Sequence, residues 1–178
     1  RAHAKQQNEI VPEHIEALLV TMEAVTMQIN ASNRRIAKLA EANPVAQRLM
    51  TIPGVGAISA LTLIAVVDDP GRFHQAHHLQ SYVGLTPGEN SSSERQQRTG
   101  ITKAGSTSVR RVMVQAAWTV MWNHKRRPSP MGSWALQIAE RRGKNIAVVA
   151  LARKMVGVMW ALWRDGTSYS PEKAAQVR

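Results

Sequence analysis

The chain has 178 residues, 44% of them hydrophobic, which is enough for one domain with an appendage or for two small domains. It contains no cysteine, which excludes disulfides and thiolate metal sites. Its net charge of +11 is unevenly placed, because Arg95 to Lys154 holds thirteen basic residues and one acid, Glu140. This asymmetry favours a polyanionic partner, above all nucleic acid, over an incidentally basic surface.

Targeting and membrane signals are weak in this sequence. The apolar run nearest to a membrane span, Ile146 to Trp163, is interrupted by Arg153 and Lys154, and no signal peptide is recognisable. We therefore expect no membrane partner and a cytoplasmic location. The first residue is Arg1 rather than Met, which indicates a fragment or a processed product.

Residues 1–43 are predicted to form a coiled-coil dimerisation helix. Beyond Pro12, apolar residues recur at alternating steps of three and four from Ile15 to Leu39, with one polar position at Ser32. Acidic side chains precede basic ones along this stretch, which suits the helix dipole. A second copy is the natural partner of the seam, and the alternative is a long helix folded on its own domain.

Asn43-Pro44 ends that helix, and residues 44–166 are predicted to form a compact helical domain. A short helix and an apolar helix flank the turn Pro53-Gly54-Val55-Gly56, which resembles a helix-hairpin-helix element. In such an element Gly54 and Gly56 let backbone N–H groups approach a phosphate. The alternative is an ordinary corner between two helices, because the second helix contains no basic residue.

Two clusters could raise a metal hypothesis, and neither supports it. The Asp68-Asp69 pair is interpreted as terminating a helix, because no third acid is close in sequence. Three histidines are predicted to share one solvated face of a helix running from about residue 74 to residue 83: His74, His77 and His78. Zinc would need a further ligand, so we predict no metal site in this chain.

The segment 84–111, GLTPGENSSSERQQRTGITKAGSTSVRR, is the candidate functional site. A Gly/Pro-punctuated loop carries three consecutive hydroxyls at 91–93, and a serine there could attack a phosphodiester or could be loop filler. A serine nucleophile needs activation, and the phosphorane transition state needs positive charge. The basic side chains that could supply this charge are Arg95, Arg98, Lys103, Arg110 and Arg111.

The remaining sequence is predicted to be helical. Ser106 could cap a helix from Thr107 to about Asn123, and two further helices follow over 130–142 and 145–164. Residues 167–178 are predicted to be a disordered tail. No stretch alternates apolar and polar residues as a strand does, so the predicted fold class is all-α, a long coiled-coil helix followed by a compact helical domain.

Three blocks, in this order and spacing, carry a resemblance: GVGAISALTLIAVVDDPGRF, SYVGLTPGENSSS and GITKAGSTSVRR. They resemble the C-terminal transposase domain of the bacterial insertion-sequence transposases called bridge-RNA-guided recombinases, relatives of the Piv-type DNA invertases. The resemblance spans roughly residues 45–160, and the helix before it is similar to that family's coiled coil.

The resemblance implies a serine nucleophile in a P-x-x-x-x-S-G pattern. Pro87 occupies the proline position and Ser92 the serine position, whereas Ser93 replaces the glycine. Because Ser91 is adjacent, the nucleophile is either Ser91 or Ser92. In the family's I-[ST]-K-x-G…R segment, the matching residues are Lys103, Gly105 and Arg111.

The resemblance also implies the function. We expect a fragment of a DNA transposase or recombinase that supplies the serine for strand cleavage and exchange in the bacterial cytoplasm, guided by a structured RNA. The Mg²⁺ would be bound in the full-length enzyme by a DEDD set of a RuvC-like domain, not by this fragment, which alone would bind nucleic acid without cutting it. Its partners would be DNA, the guide RNA and further copies through the coiled coil. The alternative is a non-catalytic helix-hairpin-helix module for nucleic-acid binding and dimerisation, and a third reading is a structural dimerisation piece.

Overall fold

The computed structural model describes residues 12–89 and 98–171. Within these residues the chain is helical apart from one short antiparallel pair of strands, so the predicted all-α class is confirmed. The elements are α1 (Glu13–Glu41), α2 (Pro44–Met50), α3 (Ala57–Val67), a 3₁₀ turn (Pro70–Arg72), α4 (Ala76–Tyr82), β1 (Pro87–Glu89), β2 (Arg98–Ile101), α5 (Thr107–Trp122), α6 (Pro130–Arg142) and α7 (Lys144–Asp165).

The chain divides into two units between Leu39 and Ala40, and the described residues of the first unit belong almost entirely to the long helix α1. The apolar seam predicted along this helix is exposed to solvent. Leu18 is 62% exposed, Met22 64% and Ile29 53%. A row of large apolar side chains in water is unfavourable, and a partner helix with the same repeat would cover it.

Helix α2 begins where the sequence predicted a break, at Asn43-Pro44. The Asn43 side chain accepts hydrogen bonds from the backbone N–H groups of Val45 (2.9 Å) and Ala46 (3.0 Å) and so caps α2. Pro44 occupies the first turn of α2, where its missing N–H costs nothing. Ala46 and Leu49 on the inner face of this helix are fully buried.

Helix α7 is at the centre of the second unit and contacts α2, α4, α5 and α6. Its buried residues include Leu151, Met155 and Met159, each with no exposed surface. Methionine is unbranched and flexible, so it fills irregular gaps between helices in a chain with only one phenylalanine. Gly143, at φ +87°, lies between α6 and α7 and allows the sharp reversal from one helix to the next.

Among the described residues, α7 is long and apolar enough by length and composition to cross a membrane. Two cations, Arg153 and Lys154, interrupt its apolar run. In the structure, its buried residues belong to the core of the second unit, where the helix packs against its neighbours. The apolar character of α7 therefore has a structural explanation inside the domain.

The described part of the predicted tail, residues 167–171, contacts the second unit. Tyr169 is half-buried against the core, and its backbone N–H donates to the Thr51 hydroxyl at 2.9 Å. Burial raises the pKa of the Tyr169 phenol, because the charged form is poorly solvated there. The rest of the predicted tail lies outside the described residues.

Candidate functional site

The candidate segment forms a short β-hairpin that the sequence did not predict. β1 and β2 pair antiparallel, with Pro87 opposite Ile101 and Glu89 opposite Arg98, and a bulge separates the two pairs. The pairing continues beyond the strands, since Thr102 N–H donates to Thr86 O at 2.9 Å. With strands of three and four residues that contain glycine and proline, no alternating pattern could appear in the sequence.

Two glycines bring the two sides of the hairpin base into direct backbone contact. Gly84 has φ +72°, and a Cβ there would overlap the backbone of Ala104. Gly105 has φ +96°, and a Cβ there would overlap the carbonyl of Tyr82. The end of α4 and the segment before α5 thus approach each other more closely than any side chain would permit.

Arg110 joins the same two segments through its guanidinium. Its Nη1 donates to Val83 O at 3.1 Å and to Gly105 O at 3.0 Å, and its Nη2 donates to the Thr107 hydroxyl at 3.0 Å. These three bonds use part of the five-donor capacity of the side chain. Arg110 was predicted as a nucleic-acid contact, and the structure gives it a role in fixing the hairpin base.

Lys103 and Arg111 are the predicted cationic side chains that the structure leaves exposed beside the hairpin. Lys103 is in the left-handed region at φ +56°, and its N–H donates to Gly84 O at 3.2 Å. A non-glycine residue in this region costs about 1 to 2 kcal/mol, so the surrounding contacts hold it there. Arg111 follows the clamped Arg110 in the first turns of α5, and its position is therefore fixed relative to the hairpin.

Several predicted site residues are not placed by the structure. Ser91, Ser92 and Arg95 lie outside the described residues, in the segment 90–97 that connects β1 to β2. The backbone of Arg98 forms the start of β2, and its side chain is not described. The assignment of the serine and of these two arginines stays a prediction.

The two glycines of the predicted helix-hairpin-helix turn have different environments. Gly54, at φ +82°, faces α5, and a Cβ there would meet Val120 Cγ2 at 2.5 Å and Ala116 O at 2.7 Å. Gly56 precedes α3, with nothing within 4 Å of a built Cβ. Gly54 is thus explained by close packing of the turn on α5, and the phosphate-binding hypothesis for this turn depends on Gly56.

The predicted helix starts two residues too early, because α4 begins at Ala76 and His74 precedes it. The three histidines are nevertheless exposed and lie together, with ring centroids 6.4 Å apart for His74 and His78 and 4.2 Å apart for His77 and His78. Phe73 and Gln75 are in extended conformation, so the chain between the 3₁₀ turn and α4 is not helical.

Helix α3 ends at Val67 with Asp68 at its C-cap, which confirms that the acidic pair terminates a helix. The Asp69 carboxylate accepts from Gly71 N–H at 2.8 Å and caps the 3₁₀ turn that follows. Among the described residues, no group of three or more His, Asp or Glu side chains could hold a metal ion.

One contact between α4 and α7 was invisible to sequence reasoning. Arg153 Nε donates to Gln80 Oε1 at 2.9 Å, and Gln80 Nε2 donates back to Arg153 O at 3.1 Å. A Cβ on Gly157 would meet Gln80 Nε2 at 2.7 Å, so the glycine makes room for this pair. The pair fixes α4 on α7, and its members are 73 residues apart, so no local pattern could reveal it.

The site is therefore a hairpin whose base is fixed by backbone contacts and by Arg110, on a strongly basic helical domain. The connection between its strands carries three consecutive hydroxyls, and exposed cations lie beside it. A basic helical domain with such a hairpin can present a short polar loop to a polyanion such as nucleic acid.

Comparison with known proteins agrees with a domain that presents a loop to a polyanion. Residues 46–130 match the family model described as Transposase IS116/IS110/IS902 family. The match includes α3, the whole hairpin and α5.

Individual relatives extend the match along the chain. The transposase for insertion sequence element IS1111A of Coxiella burnetii is 36% identical over 131 residues, which are 74% of this chain and 36% of the relative. The insertion element IS110 uncharacterized 43.6 kDa protein of Streptomyces coelicolor is 31% identical over 163 residues, 92% of this chain and 40% of the relative. The pilin gene-inverting protein of Moraxella lacunata is 27% identical over 132 residues, 72% of this chain and 40% of that protein. The chain thus spans little more than a third of the length of these relatives.

Proposed function

We propose that this chain is the serine-bearing part of a DNA transposase or recombinase of the family that residues 46–130 match. The observation that carries the proposal is the clamped hairpin, which lies entirely inside the matched region. Its base is fixed by two backbone contacts at glycines and by Arg110, so the two strands that flank the segment 90–97 are held together. Catalytic groups are often carried on such loops above a rigid scaffold.

In the proposed reaction, Ser92 Oγ attacks a DNA phosphorus, a phosphoserine ester forms, and the P–O bond to the leaving strand breaks. The serine proton passes to a general base, and the leaving strand ends in a hydroxyl. In strand exchange, the hydroxyl of a different strand attacks the phosphoserine ester, and the serine leaves as its free hydroxyl. Lys103 and Arg111 supply positive charge near the transferring phosphoryl group.

The acidic half of the site is assigned to another part of the full-length protein. The described residues offer no group of acids that could hold Mg²⁺, so no metal-bound step is derived from this chain. In this proposal a RuvC-like domain binds the Mg²⁺, a structured RNA selects the DNA, and the seam of α1 joins copies in the bacterial cytoplasm. The exposed apolar side chains of α1 support the last of these assignments.

The test is a covalent adduct in the full-length protein that carries this chain. With radiolabelled DNA and Mg²⁺, the unaltered protein should form a protein–DNA adduct that survives denaturation. The Ser92→Ala variant should lose it, because the phosphoserine ester can no longer form. Ser91→Ala tests the alternative register, and Ser93→Ala is the matched control.

The result of the adduct experiment distinguishes the serine mechanism from the non-catalytic binding module. Loss in Ser92→Ala or in Ser91→Ala, with Ser93→Ala unaffected, identifies the nucleophile. An adduct that survives both substitutions would overturn the serine mechanism. If no adduct forms at all while Gly56→Ala weakens DNA binding, the non-catalytic binding module becomes the better account.

A further inference from the structure

Helix α5 ends in an exposed aromatic pair that none of the roles above uses. The rings of Trp118 and Trp122 are stacked, with centroids 5.0 Å apart and planes at 26°. Trp118 is half-buried against the core, whereas Trp122 is 67% exposed, the most exposed of the large hydrophobic side chains described. A tryptophan left in water but held in place by a second ring is a preformed flat surface.

This pair shares a face of α5 with a cation beside the hairpin. Arg111, Gln115, Trp118 and Trp122 follow at steps of four, three and four residues, which places them along one side of the helix. The opposite side carries buried residues such as Val109 and Met113. Eleven residues at 1.5 Å each separate Arg111 from Trp122 by about 16 Å along the helix.

The turn after Trp122 is basic. Lys125, Arg126 and Arg127 are exposed, and the turn is ordered by Asn123 O, which accepts from the N–H groups of Arg126 (2.9 Å) and Arg127 (2.8 Å). The sequence contains no acidic residue between Glu94 and Glu140. An exposed aromatic surface bordered by cations on one helix face is a combination that single-stranded nucleic-acid sites use.

We propose that Trp122, supported by Trp118, stacks on an unpaired base of the DNA strand held at the serine loop, while the basic turn binds its phosphates. The inference rests on the proposed function, which places DNA at the hairpin where this helix face begins. At the 3.4 Å step of a stacked strand, the distance of about 16 Å from Arg111 to Trp122 corresponds to about five nucleotides, and a more extended strand spans it in fewer. Strand exchange requires bases to leave their original duplex, and a flat aromatic surface can hold such a base in any sequence.

Charge favours DNA over a protein partner at this surface. A second copy of this chain would bring the same three cations to both sides of a two-fold contact, and like charges there oppose association. A nucleic-acid strand instead matches both the rings and the cations. RNA is the alternative that the experiment separates from DNA.

The experiment measures binding in the full-length protein with Ser92→Ala, so that cleavage does not interfere. The probes are a fully paired DNA duplex of about 30 base pairs, the same duplex with about five unpaired nucleotides, and an RNA of the latter form. The variants are Trp122→Ala, Trp122→Phe and Trp122→Leu, and Ile146→Ala serves as a control at another exposed hydrophobic residue (48% exposed).

Trp122→Ala should weaken binding of the DNA with unpaired nucleotides about 5- to 150-fold and leave the fully paired duplex within about twofold. Trp122→Phe should retain most of the affinity and Trp122→Leu should not, because only an aromatic ring stacks. Ile146→Ala should match the parent protein, and circular dichroism should show all variants folded.

Three results would overturn the inference. They are equal loss for paired and unpaired DNA, a leucine variant as good as phenylalanine, and an effect confined to RNA. The proposed function fails separately, through the adduct experiment. If the adduct forms normally and the Trp122 substitutions do not change DNA binding, this inference fails and the proposed function stands.

Discussion

Replacing Arg110 with alanine tests whether this arginine stabilises the fold or binds a DNA phosphate. The substitution removes the donors to Val83 O and Gly105 O, which belong to the two segments that meet at the hairpin base. Val83 is fully buried, so its carbonyl has little access to water once the guanidinium is gone. The neighbouring Arg111 is exposed and offers a matched control one residue away.

The expected loss follows from these bonds. A hydrogen bond to a charged group contributes about 1.5 to 3 kcal/mol when partly buried, and an exposed bond contributes about 0.5 kcal/mol. The bond to Val83 O is partly buried and the other two are exposed, so Arg110→Ala should lower the free energy of unfolding by about 2.5 to 4 kcal/mol. Arg111→Ala should change it by less than about 0.5 kcal/mol.

The assay is urea unfolding of both variants, followed by DNA binding over a range of salt concentrations. Arg111→Ala should reduce the slope of log affinity against log salt by about 0.9 if that side chain neutralises one phosphate. The reasoning would be refuted if Arg110→Ala kept its stability and showed the reduced salt slope, because Arg110 would then act on the phosphate and not on the fold.

Two further predictions test the hairpin base and the long helix. Gly105→Ala should destabilise the domain by more than about 3 kcal/mol, because its Cβ would overlap Tyr82 O at positive φ, whereas Gly100→Ala, with nothing within 4 Å, should stay within about 1 kcal/mol in the same urea assay. Equal stability of the two variants would contradict the close approach. Met22→Asp should dissociate an oligomer in sedimentation equilibrium and Met27→Asp should not, since Met22 (64% exposed) lies on the seam and Met27 (66%) lies off it. The same molecular mass for both would exclude the seam as the interface.

Sequence reasoning predicted the helices well because their ends carry chemical signals. Ser106 and Ser129 accept hydrogen bonds from backbone N–H groups of the following helices, and Gly143 ends α6 at positive φ. It failed at the start of α4, where Gln75 makes no side-chain cap hydrogen bond. Without a capping residue, the three histidines were the only visible pattern, and their spacing gave a helix that begins too early.

The position of the site was predictable from the sequence, but its hairpin and the contacts that fix the hairpin base were not. The resemblance located the segment that contains the hairpin, yet the strands are too short to show periodicity. The role of Arg110 depends on Val83, 27 residues away, and no local pattern distinguishes a clamped arginine from an exposed one. Tertiary contacts decided which of two adjacent arginines faces a backbone carbonyl and which faces solvent.

The described contacts that fix the hairpin base join residues 82–84 to residues 103–110. Gly84, Gly105 and Arg110 act on backbone atoms, so none of them recognises a particular side chain in the connecting segment. That segment can therefore change in composition without loss of its anchoring, as insertions and exchanges are tolerated in loops whose supports are intact. The connecting segment of a related transposase could therefore replace residues 90–97 while the hairpin base keeps its structure.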